Sequence, residues 1–400
     1  MGIVVTSNSV LTTRFSNETI LKYLNATISV NPIQLFQQIR QYISKYILLK
    51  NPNAYSFLTL WVMGTYIFRV FSYFPYVHLK GEKGSGKSKV LEILKPICFN
   101  GTSFLNPTPA VIFRFVSLFS PTLFIDEVEK LRKSDRDIFG ALMSILNSGF
   151  SKTGVVPRMG GKNRDEFQMF ATYSPKMLAG INDIDDVLRD RVIEIHMVRR
   201  LKGEPVERYV ENSSTKLLQE IICDQLYIFG LSYGEMIAEK YNENNAGVVG
   251  IDHLNRAFDV WAPIFLLATL VDESRVDENR TVFEEMVNFS RSHTEGIAED
   301  DQTENETVKL ILTISRMIEV LSPLDVNGRV LSFDTEEVYK FFRQQEEFPW
   351  WESKPWLSRQ LKKLEISIIV YNSSGKTRKK YQIDLDTLNE YRARYIPSKE

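Results

Sequence analysis

A glycine-rich segment that contains a lysine is the part of this sequence best suited to chemistry. Residues 81–88 read Gly-Glu-Lys-Gly-Ser-Gly-Lys-Ser and match the pattern G-x-x-x-x-G-K-[ST], with an apolar segment before them and a helical one after. Glycines at Gly81, Gly84 and Gly86 let backbone N–H groups turn towards phosphate oxygens, and the next helix directs its positive dipole end at the same place. The segment therefore predicts a phosphate-binding loop for a nucleoside triphosphate.

Two side chains of this loop have predicted roles with ATP and Mg²⁺. Lys87 supplies a cation that can reach the β and γ phosphate oxygens, and Ser88 is expected to hold Mg²⁺. Ser85, between the last two glycines, belongs to the same predicted nucleotide-binding set. We therefore expect ATP and Mg²⁺ as ligands, with Lys87 also counted among the catalytic residues.

An acidic pair follows an apolar strand at a suitable distance after the loop. Residues 122–127 read Thr-Leu-Phe-Ile-Asp-Glu. Asp126 is expected to bind the metal through water, and Glu127 to align and deprotonate the attacking water. Because a glutamate follows the aspartate, the pattern favours hydrolysis over transfer to a second substrate.

Phosphoryl transfer also requires positive charge on the developing γ-phosphate, which many oligomeric ATPases take from a neighbouring subunit. Arg191 is the candidate for this arginine finger, because it lies between a short helix and the last predicted core strand. Arg189 is the alternative, and an ordinary surface salt bridge is a third interpretation of either residue. Asn182, at the end of the preceding strand, is expected to polarise the water or sense the γ-phosphate, although asparagine is also common in turns.

Two basic regions predict contact with nucleic acid. The first is a hairpin over residues 153–173 with a glycine-rich tip, whose candidate DNA-binding residues are Arg158, Lys162 and Arg164. A solvated hairpin without this role is the alternative. The second region combines a helix and a tight hairpin near the C-terminus, with candidate residues Arg359, Lys362, Lys363, Arg378 and Lys379. Such a helix would enter a groove of the DNA, while the hairpin would contact the sugar-phosphate backbone.

The elements that must position these residues alternate between apolar strands and helices, which predicts an α/β fold with a parallel sheet. The predicted domains are an N-terminal helical segment, or collar (1–54), a P-loop ATPase core (55–200), a helical lid (201–290), an acidic linker (291–306) and a winged-helix domain (307–400). The linker is predicted because acidic residues dominate there and strong apolar positions are few. Helices followed by a terminal hairpin predict the winged helix.

Composition limits the possible classes of protein. The 400 residues are 44% apolar and 25% charged, with a formal net charge of −1, which excludes a globally basic nucleic-acid coat. Cys98 and Cys223 are too few for a disulfide framework, so we expect a cytoplasmic location. The apolar segment 55–73 contains Arg69 and several hydroxyls, and it predicts a buried helix without contact to a membrane.

The motifs together resemble the ATPase core of AAA+ proteins in the superfamily 3 and related helicase group. Four further stretches resemble an ATPase domain of plasmid, phage and other mobile-element replication proteins: residues 60–66 (Leu-Trp-Val-Met-Gly-Thr-Tyr), 145–149 (Ile-Leu-Asn-Ser-Gly), 174–181 (Ser-Pro-Lys-Met-Leu-Ala-Gly-Ile) and 255–263 (Asn-Arg-Ala-Phe-Asp-Val-Trp-Ala-Pro). The resemblance covers roughly residues 30–395 and makes Arg256 a candidate sensor of the nucleotide, with a surface salt bridge as the alternative.

The resemblance implies a hexameric ring that moves on single-stranded DNA and hydrolyses ATP. Duplex origin DNA and a primase or other replication protein are further expected partners. Many relatives carry an N-terminal primase or polymerase module, which does not fit in the first thirty residues of this chain. A regulatory or loader ATPase that assembles on a partner protein is the main alternative, and a DNA-packaging or transposition ATPase is a third.

Overall fold

The computed structural model describes residues 15–104, 107–127, 136–160, 166–180, 186–200, 204–243, 256–275, 281–304, 306–321, 324–325, 329–344, 354–364, 366–373 and 376–395. The chain divides into two compact units, one that ends at His293 and one that begins at Thr294. Each unit has its own cluster of buried apolar side chains.

The helices of the first unit, as far as the chain is described, are α1 (Asn17–Leu24), α2 (Pro32–Tyr46), α3 (Asn53–Thr65), α4 (Lys87–Leu94), α5 (Pro109–Phe119), α6 (Arg136–Ser148), α7 (Asp186–Arg189), α8 (Ser213–Glu243), α9 (Arg256–Glu273) and α10 (Thr281–Glu304), the last of which crosses into the second unit. Its strands are β1 (Tyr76–Lys80), β2 (Thr102–Ser103), β3 (Leu123–Ile125), β4 (Val155–Gly160), β5 (Glu166–Ala171), β6 (Lys176–Gly180) and β7 (Val192–His196).

Local sequence explains the helices ahead of the first strand. The side chain of Asn31 accepts a hydrogen bond from the N–H of Ile33, and Pro32 occupies the first helical position, so α2 begins there. Buried residues of α2 recur at helical spacing, which gives it one apolar face. Helix α3 is buried on almost every side, as the composition of segment 55–73 predicts. Among the described residues, no helix has both the length and the apolar character that crossing a membrane would require.

Five strands form one parallel sheet in the order β2-β3-β6-β1-β7. The expected α/β class with a parallel sheet is therefore confirmed. Because all five strands run in the same direction, their carboxyl ends share one edge, which we call the carboxyl edge, and their starts share the amino edge. The residues that follow β1, β3 and β7 all lie at the carboxyl edge, where open α/β sheets bind their ligands.

The second unit combines helices with a small antiparallel sheet. Its helices, within the described residues, are α11 (Glu306–Val320), α12 (Thr335–Arg343), α13 (Lys354–Lys363) and α14 (Leu385–Tyr395). Its strands are β8 (Leu324–Asp325), β9 (Val330–Asp334), β10 (Ser367–Ser373) and β11 (Lys376–Asp384), in the sheet order β10-β11-β9-β8. The pair β10 and β11 forms the predicted terminal hairpin, and β9 extends it into a sheet.

The acidic segment 291–306 differs from the expected linker, because helix α10 continues through it to Glu304. The boundary between the two units falls inside this helix. The first part of α10 buries Val282, Met286 and Phe289, and a helix anchored in this way extends readily through residues such as Glu, Ala and Gln, which favour helical backbone. An acidic composition therefore did not prevent regular structure here.

A buried lysine joins three elements at the amino edge. Lys176, the first residue of β6, is fully buried, and its Nζ donates hydrogen bonds to the carbonyl oxygens of Gly149, Thr172 and Ser174 at 3.3, 3.0 and 2.8 Å. The ammonium also lies 4.8 Å from the ring centroid of Tyr76. Burial lowers the pKa of Lys176 well below its usual value.

We expect Lys176→Met to lower the free energy of unfolding by about 2–4 kcal/mol at neutral pH, because buried carbonyl groups lose their donor. The unfolded chain binds a proton at this lysine up to its ordinary pKa, whereas the folded protein releases it at a lower pH. The stability of the wild type relative to Lys176→Met should therefore increase as the pH is raised from 7 towards 10. Urea unfolding of both proteins measures this difference, and a difference that shrinks over this range would contradict the pKa direction.

Candidate functional site

The phosphate loop follows β1 directly and requires glycine at its first position. A Cβ on Gly81 would lie 2.4 Å from the carbonyl oxygen of Met197, which no side chain tolerates. Gly84 and Gly86 have φ angles of 84° and 92°, in the region that favours glycine. The three glycines of the motif thus each satisfy a backbone requirement of the folded loop.

Lys87 is the first residue of α4 and folds back over the loop. Its Nζ donates hydrogen bonds to the carbonyl oxygens of Gly81 at 2.5 Å and Glu82 at 2.9 Å. Within the part of the chain that the structure describes, no side chain caps the start of α4, where glycine occupies the cap position, so the first N–H groups of the helix are available to a ligand. A cation and a helix N-terminus therefore meet at the loop.

A phosphate chain with Mg²⁺ fits the residues of this loop. The Oγ of Ser85 is buried and has no hydrogen-bond partner among the described residues, which is typical of a place where a ligand or ordered water completes the bonding. Ser88 is exposed one residue further along α4 from Lys87. If bound, Mg²⁺ would be held through Ser88 and Asp126, and it would neutralise charge on the phosphate oxygens.

The acidic pair lies at the same edge of the sheet as the loop. Ile125 pairs with Leu178, and Leu178 with His78, so Asp126 lies level with the end of β1. One strand, β6, separates β3 from β1, which places the two backbones about 10 Å apart. The side chains of Asp126 and Glu127 are both exposed, and Asp126 Oδ1 accepts a hydrogen bond from the N–H of Glu127 at 2.9 Å.

Glu127 has an unusual backbone conformation. Its φ angle is 52°, in the left-handed region that residues with a Cβ seldom adopt. Strain of this kind is concentrated at functional sites, where the surrounding structure holds it. The turn therefore fixes the direction of the carboxylate immediately after the strand ends.

Charged and polar side chains connect β1 to β7 just before the loop. Glu194 lies 2.9 Å from His78 Nδ1, 3.1 Å from His196 Nε2 and 3.7 Å from Lys80 Nζ. Burial by itself raises the pKa of Glu194, but the hydrogen bond with His78 and these neighbouring charges hold it below its usual value. His293 Nε2 accepts the N–H of Glu194 at 2.9 Å, and burial lowers the pKa of His293 to about 4. These contacts fix the register of β7 beside β1.

Sequence reasoning missed the segment that follows β7. Met197 lies against Gly81 and Gly86, and Arg199 Nε donates a hydrogen bond to the carbonyl oxygen of Lys83 at 2.9 Å. No motif in the sequence marks this segment, because its position depends on the pairing of β7 with β1.

Arg191 lies at the amino edge, away from the phosphate loop of its own chain. Its carbonyl oxygen accepts the N–H of Tyr76 at 3.0 Å, and its Nη1 donates to Asn147 Oδ1 at 3.1 Å. Strand β1 rises about 3.3 Å per residue, so Gly81 lies about 16 Å from Tyr76. An arginine side chain does not span this distance, and a nucleotide contact by Arg191 would have to be made with another copy of the chain. The alternative, Arg189, ends α7 and is half-buried.

The last turn of α6 connects Arg191 with the basic hairpin β4–β5. Asn147 accepts the hydrogen bond from Arg191, Ser148 Oγ lies 2.8 Å from Thr172 Oγ1 at the end of the hairpin, and the Gly149 carbonyl accepts from Lys176. This turn contains most of the stretch 145–149. The structure therefore gives that stretch a physical function, which is to hold the base of the hairpin against the amino edge.

Arg158 of the hairpin packs against its neighbours. Its guanidinium lies 4.3 Å from the ring centroid of Phe113 in α5, and Nη2 donates to Ser144 Oγ in α6 at 3.3 Å. In this conformation Arg158 holds the hairpin to α5 and α6. Lys162 and Arg164, the other candidates in the hairpin, lie outside the described residues, and so does Asn182.

The second basic region lies on α13 and the β10–β11 hairpin. Arg359 and Lys362 lie on the exposed face of α13, opposite the buried Leu357 and Leu361. Arg378 and Lys379 are exposed on β11, and Lys380 lies 4.7 Å from the ring centroid of Tyr371. Lys363 belongs to α13 and Arg256 begins α9, but the side chains of both residues lie outside the described part of the structure.

No protein-family model matches the chain, and no curated protein matches its sequence. Among solved structures, the chain is similar to the active helicase Cch of SCCmec type IV, with a TM-score of 0.39 and 12% identity over 94% of this chain and 72% of that one. It is also similar to the apo A form of the NrS-1 C-terminal region, with a TM-score of 0.40 and 14% identity over 88% and 74% of the two chains. The JCV helicase follows with a TM-score of 0.27 and 10% identity over 75% of each chain. We therefore infer function from the residues of the site.

The left-handed backbone at Glu127 predicts an unusual order of stability. We expect Glu127→Gly to be more stable than Glu127→Ala by about 1 kcal/mol, because alanine keeps the Cβ that is strained in this region. At positions with ordinary backbone angles, the alanine variant is the more stable one. Urea unfolding of the two variants measures the difference, and an alanine variant as stable as the glycine variant would contradict the observed turn.

Proposed function

We propose that the chain is an ATP-hydrolysing ring helicase or translocase that acts on single-stranded DNA in the replication of a mobile genetic element. The observation that carries the proposal is the meeting of the phosphate loop and the acidic pair at one edge of a parallel sheet. The additional strand β6 lies between β1 and β3. The proposed core is thus of the AAA+ type, with residues 255–263 inside the proposed helical lid (201–290).

The residues at the carboxyl edge have complementary roles in hydrolysis. Lys87 exchanges its two carbonyl partners for phosphate oxygens, and the N–H groups at the start of α4 support the same charge. Glu127, fixed by its turn, orients the attacking water and accepts its proton. Glu127→Gln should therefore bind ATP but hydrolyse it very slowly, whereas Lys87→Ala should lose productive binding.

The position of Arg191 supports action between subunits. Arg191 lies at the amino edge, beyond reach of its own loop, so it can serve a nucleotide only where copies of the chain meet head to tail. A closed ring, for which we propose six copies, brings such unlike edges together. Asn182 and Arg256 remain the proposed sensors of the nucleotide.

Two basic regions provide the proposed DNA contacts. Lys162 and Arg164 near the tip of the β4–β5 hairpin would track the phosphates of a single strand in the ring channel. The second unit supports a winged helix, because three of its described helices precede the β10–β11 hairpin and β9 pairs with that hairpin. Its α13 exposes Arg359 and Lys362 for duplex DNA, and its hairpin exposes Arg378 and Lys379.

A regulatory or loader ATPase is the second candidate, and one contact favours it. Arg158 is held by Phe113 and Ser144, so the hairpin has fewer basic side chains to offer DNA than its sequence suggests. Such a switch would assemble on a partner protein, with DNA-site recognition by the second unit. The activity of such a switch would depend little on the basic residues of the β4–β5 hairpin.

Steady-state ATP hydrolysis with and without single-stranded DNA tests the first proposal. We expect DNA to stimulate hydrolysis several-fold at low salt and less at moderate salt, because phosphate contacts weaken as salt rises. Lys87→Ala provides the blank. Lys162→Ala combined with Arg164→Ala should keep DNA-independent hydrolysis and lose strand displacement. ATP hydrolysis at the same rate with and without DNA, or full strand displacement by the double variant, would favour the regulatory or loader ATPase.

Mixing two inactive variants tests the role of Arg191. Arg191→Ala keeps the loop and Lys87→Ala keeps the arginine, so neither should hydrolyse ATP alone. In randomly mixed rings with equal amounts of both, about a quarter of the interfaces combine an intact loop with an intact arginine, and about that fraction of activity should return. The same mixture made with Arg189→Ala examines the alternative. Full hydrolysis by Arg191→Ala alone would refute the assignment.

A further inference from the structure

The segment after β7 contacts the phosphate loop through a residue that is not among the predicted nucleotide-binding residues. Arg199 Nε donates to the carbonyl oxygen of Lys83 at 2.9 Å, and a Cβ on Gly84 would lie 3.8 Å from the same nitrogen. Arg199 is therefore adjacent to the two residues at the middle of the loop. Neither the motif nor the resemblance assigns it a role.

The contact controls the direction of a backbone N–H. In a planar trans peptide, the carbonyl of one residue and the N–H of the next point in opposite directions. The Lys83 carbonyl and the Gly84 N–H belong to the same peptide unit, so holding the carbonyl towards Arg199 turns the N–H away from it. Gly84 has no Cβ to restrict the rotation of this peptide unit, and its φ angle of 84° lies in the region that glycine adopts readily, so a contact such as that with Arg199 is needed to fix the orientation.

Arg199 and Lys87 differ in what they can do after nucleotide binds. Lys87 holds the carbonyls of Gly81 and Glu82, and it must leave them to reach phosphate oxygens. Arg199 approaches from β7, whose register is fixed to β1 by the contacts of Glu194. Arg199 can therefore keep its hydrogen bond to the Lys83 carbonyl throughout the reaction.

The charge of Arg199 contributes little by itself. Its Nη2 lies 3.8 Å from Glu82 Oε2, and the two side chains are 64% and 82% exposed. Ion pairs with this exposure are weak because water screens them. The hydrogen bond to the backbone is the interaction that has structural consequences.

We propose that Arg199 is a positioning residue for the phosphate loop, which holds the peptide unit between Lys83 and Gly84 so that the Gly84 N–H faces the nucleotide phosphates. The proposal rests on the nucleotide-binding function proposed above. It extends the site to the segment after β7, which carries no nucleotide-binding motif.

Three variants test this role. Arg199→Met keeps most of the side-chain length without a donor, Arg199→Lys keeps a donor, and Arg200→Ala is the matched control because the neighbouring Arg200 bonds to the Glu204 carbonyl instead. For each, we would measure kcat and KM for ATP hydrolysis, the Tm without nucleotide, and the Tm shift caused by Mg–ATP and Mg–ADP.

Arg199→Met should raise the KM for ATP about tenfold, equivalent to about 1.4 kcal/mol, with a smaller effect on kcat. Its Tm without nucleotide should equal that of the wild type, while the Tm shifts with Mg–ATP and Mg–ADP become smaller. Arg199→Lys should recover part of the loss, and Arg200→Ala should behave as the wild type.

The outcomes separate this inference from the proposed function. If the wild type hydrolyses ATP and Lys87→Ala does not, but Arg199→Met keeps the wild-type KM and Tm shifts, the positioning role is wrong and the nucleotide site stands. An equal loss in Arg200→Ala, or a loss of Tm without nucleotide that accounts for the raised KM, would also overturn it. A wild type that neither binds nor hydrolyses ATP would refute the proposed function itself.

Discussion

Parallel pairing of the five core strands is the constraint on which the rest of the structure depends. It places the ends of β1, β3 and β7 along one edge and the starts of the same strands along the other. The phosphate loop and the acidic pair therefore meet, although Asp126 follows Gly81 by 45 positions in the sequence. The same pairing moves Arg191 to the opposite edge, which divides the proposed chemistry between two faces of the protein.

The amino edge depends on polar groups that are removed from water. Lys176 satisfies three backbone carbonyls there, and Tyr76 donates its hydroxyl to the carbonyl of Leu146 at 3.1 Å. Buried polar groups specify one arrangement because any alternative leaves some of them unpaired. The last turn of α6 is the common partner, so the base of the hairpin, the start of β6 and Arg191 share one rigid support.

Local patterns in the sequence predicted the phosphate loop, the acidic pair and most of the helices and strands, because their glycine positions and apolar periodicity are properties of short segments. Long-range contacts could not be predicted in this way. The sequence named Arg158 as a candidate DNA-binding residue, but its contact with Phe113 could not be predicted, because Phe113 comes close to it only when α5 and the hairpin pack together. Arg199 reaches Lys83 only because β7 pairs with β1. The helical backbone of the predicted acidic linker 291–306 could not be predicted from its composition, because the helix extends from buried residues further back in the chain.

Strand β7 has an arginine near each of its two ends. Arg191 immediately precedes the strand, and Arg199 lies three residues beyond its last residue. Because all five residues of β7 pair with β1, the distance between the two arginines is fixed by the sheet. In the proposed ring, the residue offered to a neighbour's nucleotide and the residue that holds the loop of the same chain would therefore be the two ends of one stiff element.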